Sequence, residues 1–466
     1  MKKEHVERNE RASVLSSKDG TGPASSERAP EDPSGQPPAV IIVGPPWPRS
    51  GTARVIQNQI HYYRERGFFT VFIAVPFLWY LIHLAQDSKE MSKVIEGIKE
   101  LGADRMCTAT LEQKSYNRAK YKASVRHALR GTALDWQVAL GRAARLSDED
   151  VDFLRRLPAV LFHVNHVYTL GFALDLRRRL FGSESPLPII LETHDVQSQL
   201  LHEKGERNPW TRRADRLERL IKSETAVLKK ANVLIHLSVD DSKLFQEWLP
   251  STPQFLAFPT IDENFISTVN AALPPAERID LLFVGQWHHP NLDAIKWFLE
   301  QVWPLVADRR YNLKIVGPIG SKVQREQPQL YDSFRSCFVG EVAELAPYYR
   351  AARCVIAPMV SGSGTSIKTI EALALGKPFV GTTKAFRGMP MEQLKAAGME
   401  AHDEPQAFAD AIVHALCSER EAQTLSRAAY DNVFSVRASF ASRDEALRAA
   451  TDAHQPVPFL RRLGLR

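Results

Sequence analysis

Cysteine is scarce: Cys107, Cys337, Cys354 and Cys417 lie far apart in 466 residues and form no Cys-x-x-Cys pair. A disulfide framework and a cysteine zinc site are therefore not expected, whereas a reducing compartment is. Long apolar runs are also missing. The best, Val71 to Ala85, is interrupted by Pro76 and His83 and falls short of a membrane span. The N-terminus is charged and has no apolar h-region, so no signal peptide is expected. The first apolar run is not followed by Gly-x-Gly-x-x-Gly, which argues against a dinucleotide site. The histidines lack the i,i+4 helical spacing with a third ligand that marks zinc, so no metal is expected. A basic helix-turn-helix pattern is absent, and with it the case for a nucleic-acid partner.

What is present describes a globular chain long enough for two sizeable domains, with 44% hydrophobic and 24% charged residues. A net charge of +6 favours anionic partners, among them nucleotide-sugars and phospholipid surfaces. The expected location is cytoplasmic, with attachment at the inner face of a membrane left open. Residues 1–37, rich in Ser, Glu, Lys, Pro and Gly, are expected to be a disordered tail.

From Ala39 the pattern is strand, loop, helix, strand: Ala39–Val43, then Gly44 to Thr52, a helix with Ile56, Ile60 and Tyr63 on one face, then Val71–Val75. That is a doubly wound α/β opening. Further buried strands are expected at Ala159–Phe162, Leu187–Leu191 and Val233–Leu237. The first of these runs into His163-Val164-Asn165-His166 and the second into Glu192-Thr193-His194-Asp195, placing polar residues in the crevice beyond parallel strands. His163 reads best as a packed structural histidine. The stretch from Lys89 to Arg156 is helical and basic; a solvated surface and a lipid-docking face both fit it. A long helix is expected over Trp210–Lys230, and proline-rich, irregular chain over Pro250–Pro275.

The most informative run is Arg353 to Thr382. Cys354–Ala357 reads as a buried strand closed by Pro358, and Thr365 or Ser366 can cap a helix that ends at Gly376 and Pro378. The turn Gly362-Ser363-Gly364-Thr365-Ser366 lets backbone N–H groups approach an anion at the positive end of that helix. Lys368 adds a full charge, and Glu371 emerges one turn on, able to accept a polyol hydroxyl. Together these suit a nucleotide-sugar. An ordinary capped helix with a solvated Lys368–Glu371 pair fits the local sequence about as well.

The run resembles the donor-site signature of GT-B glycosyltransferases of the family-4 (group 1) type, a glycine-rich loop followed by Glu-Ala-Met-Ala-x-Gly-x-Pro. Here it stands as Glu371-Ala372-Leu373-Ala374-Leu375-Gly376-Lys377-Pro378. The resemblance implies two Rossmann-like α/β domains facing each other across a cleft: residues 38–260 on the acceptor side, 261–435 binding the nucleotide-sugar, and 436–466 as a helical tail crossing back to the first domain. It implies metal-independent transfer of a hexosyl group with retention, with no cofactor beyond the donor, to a glycan, lipid-linked or small-molecule acceptor, as in polysaccharide biosynthesis. Catalytic roles would fall to His194, Lys368 and Glu371. Substrate contacts would fall to Gly51, Thr52, Arg54, Asp195, Gly285, Gly340, Glu341, Gly362, Ser363, Gly364, Thr365 and Ser366. Two departures stand out. Ser363 occupies a position where many members carry a glutamate, and Gln286 follows Gly285 where many carry an Arg and Lys diphosphate clamp. A non-catalytic GT-B scaffold that binds a nucleotide or partner, and a GT-B nucleotide-sugar epimerase, are the alternatives.

Overall fold

The computed structural model describes residues 36–47, 50–75, 94, 96–110, 117, 118, 121, 132–206, 216–274, 277–362 and 364–452. The disordered-tail expectation for 1–35, most of the basic stretch Lys114–Arg130, Arg49, Ser363 and the end of the C-terminal tail fall outside these residues. Among the described residues no helix is long and apolar enough to cross a membrane.

Two all-parallel sheets form the framework. The first has seven strands, β1 (Ala39–Gly44), β2 (Phe69–Ala74), β3 (Arg105–Thr108), β4 (Ala159–Asn165), β5 (Ile189–Glu192), β6 (Val233–His236) and β7 (Gln254–Leu256), in the order β3-β2-β1-β4-β5-β6-β7. The second has five, β8 (Ile279–Val284), β9 (Leu313–Val316), β10 (Phe338–Gly340), β11 (Ala352–Ala357) and β12 (Phe379–Gly381), in the order β10-β9-β8-β11-β12. Every residue of β1 is buried, because helices cover both faces of a parallel sheet and no alternate position meets water. Each sheet reverses its strand order beside its first strand, between β1 and β4 and between β8 and β11. Such reversals open a crevice at the strands' carboxyl ends.

Three helices bear on the crevice: α1 (Gly51–Glu65), α2 (Ile367–Ala374) and α3 (Val436–Asp452). Ser50 caps α1, its side chain accepting from the Ala53 N–H. At α2 the capping expectation fails. Ser366 is the cap position but makes no side-chain cap bond, and Thr365 Oγ1 donates instead to the Leu237 carbonyl at 2.6 Å. The hydroxyl is used to join the domains.

The proline-rich stretch after Pro250 is more regular than its composition suggests. It contains β7 and the helix Glu263–Ala271, whose Asp262 side chain accepts from the Asn264 N–H. In the Trp210–Lys230 region the described helix is Leu217–Leu228. The helix begun at His289 continues through a π turn at Phe298–Val302.

Helix α3 returns to the first sheet. Phe440, Ala446, Leu447 and Ala450 share a buried cluster with Val40, Ile42 and Tyr62, and α3 packs along β5, β6 and β7. Arg66 pairs with Asp444 of α3 at 2.5 Å, and Ser439 Oγ donates to the Phe258 carbonyl.

Candidate donor and acceptor site

The loops after β1, β4, β5, β8 and β11 meet where the two sheet crevices face each other. From the second domain, α2 brings Lys368 and Glu371. Lys368 Nζ donates to Asn291 Oδ1 at 2.6 Å and lies 4.7 Å from the centre of the Phe283 ring. Burial, reinforced by the charge of Arg387 and opposed by Glu371, lowers its pKa to about 7. Its ammonium is therefore poised to gain from any anion placed beside it.

The same space gathers further positive charge. Arg387, from the segment after β12, is itself pulled down by burial, with Asp195 opposing. The guanidinium lies against Gly362, where an added Cβ would sit 3.5 Å from Arg387 Cζ. His288 is lowered by desolvation and by Lys368 and Lys322. Lys322, 2% exposed, donates to Glu326 at 2.9 Å and approaches the Trp287 ring. Arg387 thus stands against the turn at Gly362 with Lys368 near it, while Lys322 shares the surroundings of His288.

Glu371 is held from both sides. Tyr349 O–H donates to Oε2 at 3.1 Å and Arg54 NH2 to Oε1 at 3.4 Å. Burial first, and then Glu371, raise the Tyr349 hydroxyl well above its usual range, so it is a fixed donor. Arg54 also covers the Phe265 ring at 5.0 Å. Since Arg54 belongs to α1, this ion pair crosses the cleft.

The glycine turn is pressed against the first domain. Gly364 has φ +66, and a Cβ there would collide with Asp195 Oδ1. Only glycine meets both demands. Val239 N–H donates to the Gly388 carbonyl at 2.8 Å, and a Cβ at Gly51 would lie 3.4 Å from the Ile367 side chain.

On the facing wall two imidazoles stack: His166 and His194 lie with centroids 3.9 Å apart and planes 13° off parallel. Both have positive φ, 66 and 63. That backbone costs about 1–3 kcal/mol per non-glycine residue, and such strain concentrates at functional sites. Thr52 Oγ1 is 3.2 Å from His166 Nε2, and His194 Nε2 is 2.9 Å from Asn165 Oδ1. Burial lowers His194 to about 4 and, with the neighbouring His194, lowers His166 well below the usual imidazole value. Both rings are neutral at pH 7.

Of the residues singled out from sequence, Arg54, Asp195, His194, Gly51, Thr52, Lys368, Glu371 and the described part of 362–366 converge on this cleft. Gly285 directly follows β8, with its N–H donating to the Val316 carbonyl. Gly340 ends edge strand β10, accepts from the Gly317 N–H at 2.7 Å, and precedes exposed Glu341. Ser363 is outside the described residues. Sequence reasoning missed Asn291, Tyr349, Lys322 and Arg387; of these only Arg387, next to Gly388 beyond a strand end, carried a local signal. Among the described residues no three His, Cys, Asp or Glu side chains are grouped to hold a metal ion.

Comparison with known proteins agrees with this layout. Residues 278–418 match the family described as Glycosyl transferases group 1. No curated protein matches the chain by sequence. Among solved structures, Anabaena HepE in complex with UDP aligns at 12% identity and a TM-score of 0.54, over 88% of this chain and 100% of its own. A Rickettsia africae glycosyltransferase aligns at 11% identity and TM-score 0.53, over 88% and 98%. TarM aligns at 10% identity and TM-score 0.55, over 89% and 99%. At such identities the alignments speak for the fold. The chain therefore has the GT-B fold, and residues 278–418 of its second domain match the glycosyl transferases group 1 family.

Proposed function

We propose that the protein transfers a hexosyl group from a nucleotide-sugar to a glycan, lipid-linked or small-molecule acceptor, with retention and without a metal. The observation that carries this reading is the meeting of Lys368 and Arg387 beside the turn at Gly362, one helical turn from Glu371. The diphosphate sits among the cations, and Glu371, oriented by Tyr349, accepts the ribose hydroxyls. The bond from the anomeric carbon to the diphosphate oxygen breaks, its electron pair leaving on the diphosphate. The acceptor oxygen takes that place on the same face of the sugar and passes its proton to the departing diphosphate oxygen. Lys368, Arg387 and the turn amides stabilise the charge that develops, a contribution commonly of about 3–4 kcal/mol per donor. His194 orients the reacting sugar. Arg387 supplies charge where Gln286 replaces the family's clamp.

UDP is the first nucleotide to test, since HepE and its UDP-glucose complex share the fold. Thermal shift of the purified chain with UDP, other nucleoside diphosphates and UDP-glucose is the assay. A ligand at a hundred times its Kd adds about 2.7 kcal/mol of stability. A selective shift that Glu371→Ala and Lys368→Ala both abolish is expected. No shift with any nucleotide in a folded sample would overturn the reading in favour of a non-catalytic scaffold. Conversion of the donor to an epimer without acceptor would favour an epimerase. For the acceptor side, Arg142, Arg145, Arg178 and Arg179 border a cavity of about 210 Å³ on the first domain, a surface suited to anionic lipid headgroups. Sedimentation with vesicles containing anionic lipid tests that contact.

A further inference from the structure

Glu192 is fully buried at the end of β5, two residues before His194. Its carboxylate is gripped by Arg443 of the returning helix, NH1 to Oε2 at 2.9 Å and NH2 to Oε1 at 3.0 Å. Arg443 is 2% exposed, the largest fully buried side chain described. Burial alone would push Glu192 up; Arg443 and His163 outweigh it and hold the group ionised. A buried pair of this kind is weak evidence for stability, because desolvation offsets most of the attraction. Its use must be sought in what the charge orients.

Glu192 Oε2 accepts from Gln59 Nε2 at 2.6 Å. An ionised carboxylate only accepts, so Gln59 must turn its amide nitrogen toward it. That nitrogen also donates to Asn165 Oδ1 at 2.8 Å, while Gln59 Oε1 accepts from Asn165 Nδ2 at 2.9 Å. The two amides are thereby locked in register, and Asn165 presents its oxygen to His194 Nε2 at 2.9 Å. Facing an acceptor, Nε2 must carry the hydrogen. In a neutral ring, Nδ1 then carries the lone pair.

We infer that Arg443 is a positioning residue: its charge, relayed through Glu192, Gln59 and Asn165, holds His194 as the Nε2–H tautomer with Nδ1 an acceptor for a substrate hydroxyl. The tautomer claim stands on the hydrogen bonds alone; its catalytic use rests on the proposed glycosyl transfer. Arg443 reaches this site from the C-terminal helix, so the cleft's chemistry depends on a residue outside both sheets.

The test uses the full chain labelled with ¹⁵N-histidine, with His194 nitrogens assigned by their loss in His194→Gln. Wild type is expected to show the Nε2–H tautomer at pH 7. The double variant Arg443→Met/Glu192→Gln removes both charges and keeps the side-chain volumes, so it avoids an unpaired buried ion. With a neutral amide at 192, only the 3.4 Å bond from Asn165 Nδ2 to the Val43 carbonyl still favours the wild-type orientation of the two amides, and the Nδ1–H form of His194 is expected to appear beside the Nε2–H form. Arg443→Lys keeps the charge and is expected to keep the wild-type tautomer. An Nδ1–H wild type, an unchanged tautomer in a folded double variant, or an Arg443→Lys that behaves as the double variant would each overturn the inference. Hydrolysis of UDP-glucose is read in parallel. The double variant is expected to lose on the order of 100-fold in kcat, the scale of a misplaced reacting group, with donor KM unchanged. If wild type neither binds nor turns over any nucleotide-sugar, the transfer reading fails while the ¹⁵N measurement still decides the relay.

Discussion

Raising the pH from 7 to 9 is expected to weaken donor binding, through Lys368. Packed over Phe283 and beside Arg387, its ammonium has a pKa of about 7 in the free protein. A bound diphosphate places negative charge against it and returns its pKa toward the ordinary lysine value near 10.4. The sign follows from linkage. Below pH 7 lysine is already protonated and binding is at full strength. Above it, each complex must take up a proton, so Kd rises about tenfold, or ~1.4 kcal/mol, per pH unit until the bound-state value is reached. Because the lysine is half protonated at pH 7, the loss from pH 7 to 9 is about 50-fold, close to 2.3 kcal/mol. The diphosphate is fully ionised throughout that window. Titration calorimetry in buffers of different ionisation enthalpy measures both quantities at once, and at pH 8 uptake of about 0.9 proton per donor is expected from a group titrating near 7. Lys368→Arg carries a permanent charge and should bind with a flat profile. A wild-type Kd that does not change over this range, or an arginine variant that keeps the slope, would refute the reasoning.

The remaining predictions concern single side chains. Tyr349→Phe removes one donor to Glu371 and should weaken donor binding by about 0.5–1.5 kcal/mol in the same calorimetry, against complete loss of the thermal shift in Glu371→Ala. Gly364→Ala should lower donor affinity because of its φ of +66 and the Asp195 carboxylate in the path of a Cβ; adding Asp195→Ala should recover the steric part, and no effect of either would contradict the close approach. His194→Gln should keep the donor's thermal shift while UDP-glucose turnover falls. Phe408→Ala, in the fully buried core under Trp297 and Phe298, should cost about 3–5 kcal/mol in urea unfolding, with nucleotide selectivity intact.

Both sheets were legible where a strand is an unbroken apolar run closed by glycine or proline, as at Ala39–Gly44 and Cys354–Ala357. β7 was not. Three residues, Gln254-Phe255-Leu256, carry no period, and nearby prolines speak for a loop; the sheet edge recruited them regardless. Helix Glu263–Ala271 did carry its signal, the capping Asp262, which composition overshadowed. At the site, Lys368 and Glu371 could be read together because they share one helix. Arg54 and Tyr349 reach Glu371 from positions 317 and 22 residues away, and nothing local announces such a meeting. The capping assignment at α2 failed for a related reason: Thr365 found a better acceptor in the other domain. Local sequence reports propensity, whereas these contacts are made by topology.

The bond between Glu192 and Arg443 also sets a schedule for synthesis. The two residues are 251 positions apart. At about 5–20 residues per second on the ribosome, the arginine follows the glutamate by roughly 13–50 s. For most of that interval every strand of the first sheet has been made, yet the carboxylate at its centre has no Arg443 to meet. The nascent first domain must keep this acid hydrated or protonated, and its last helix can dock only after the second domain has been translated. Synthesis of the second domain and of the helix beyond it, rather than completion of the sheet, is thus the event that finishes the domain made first.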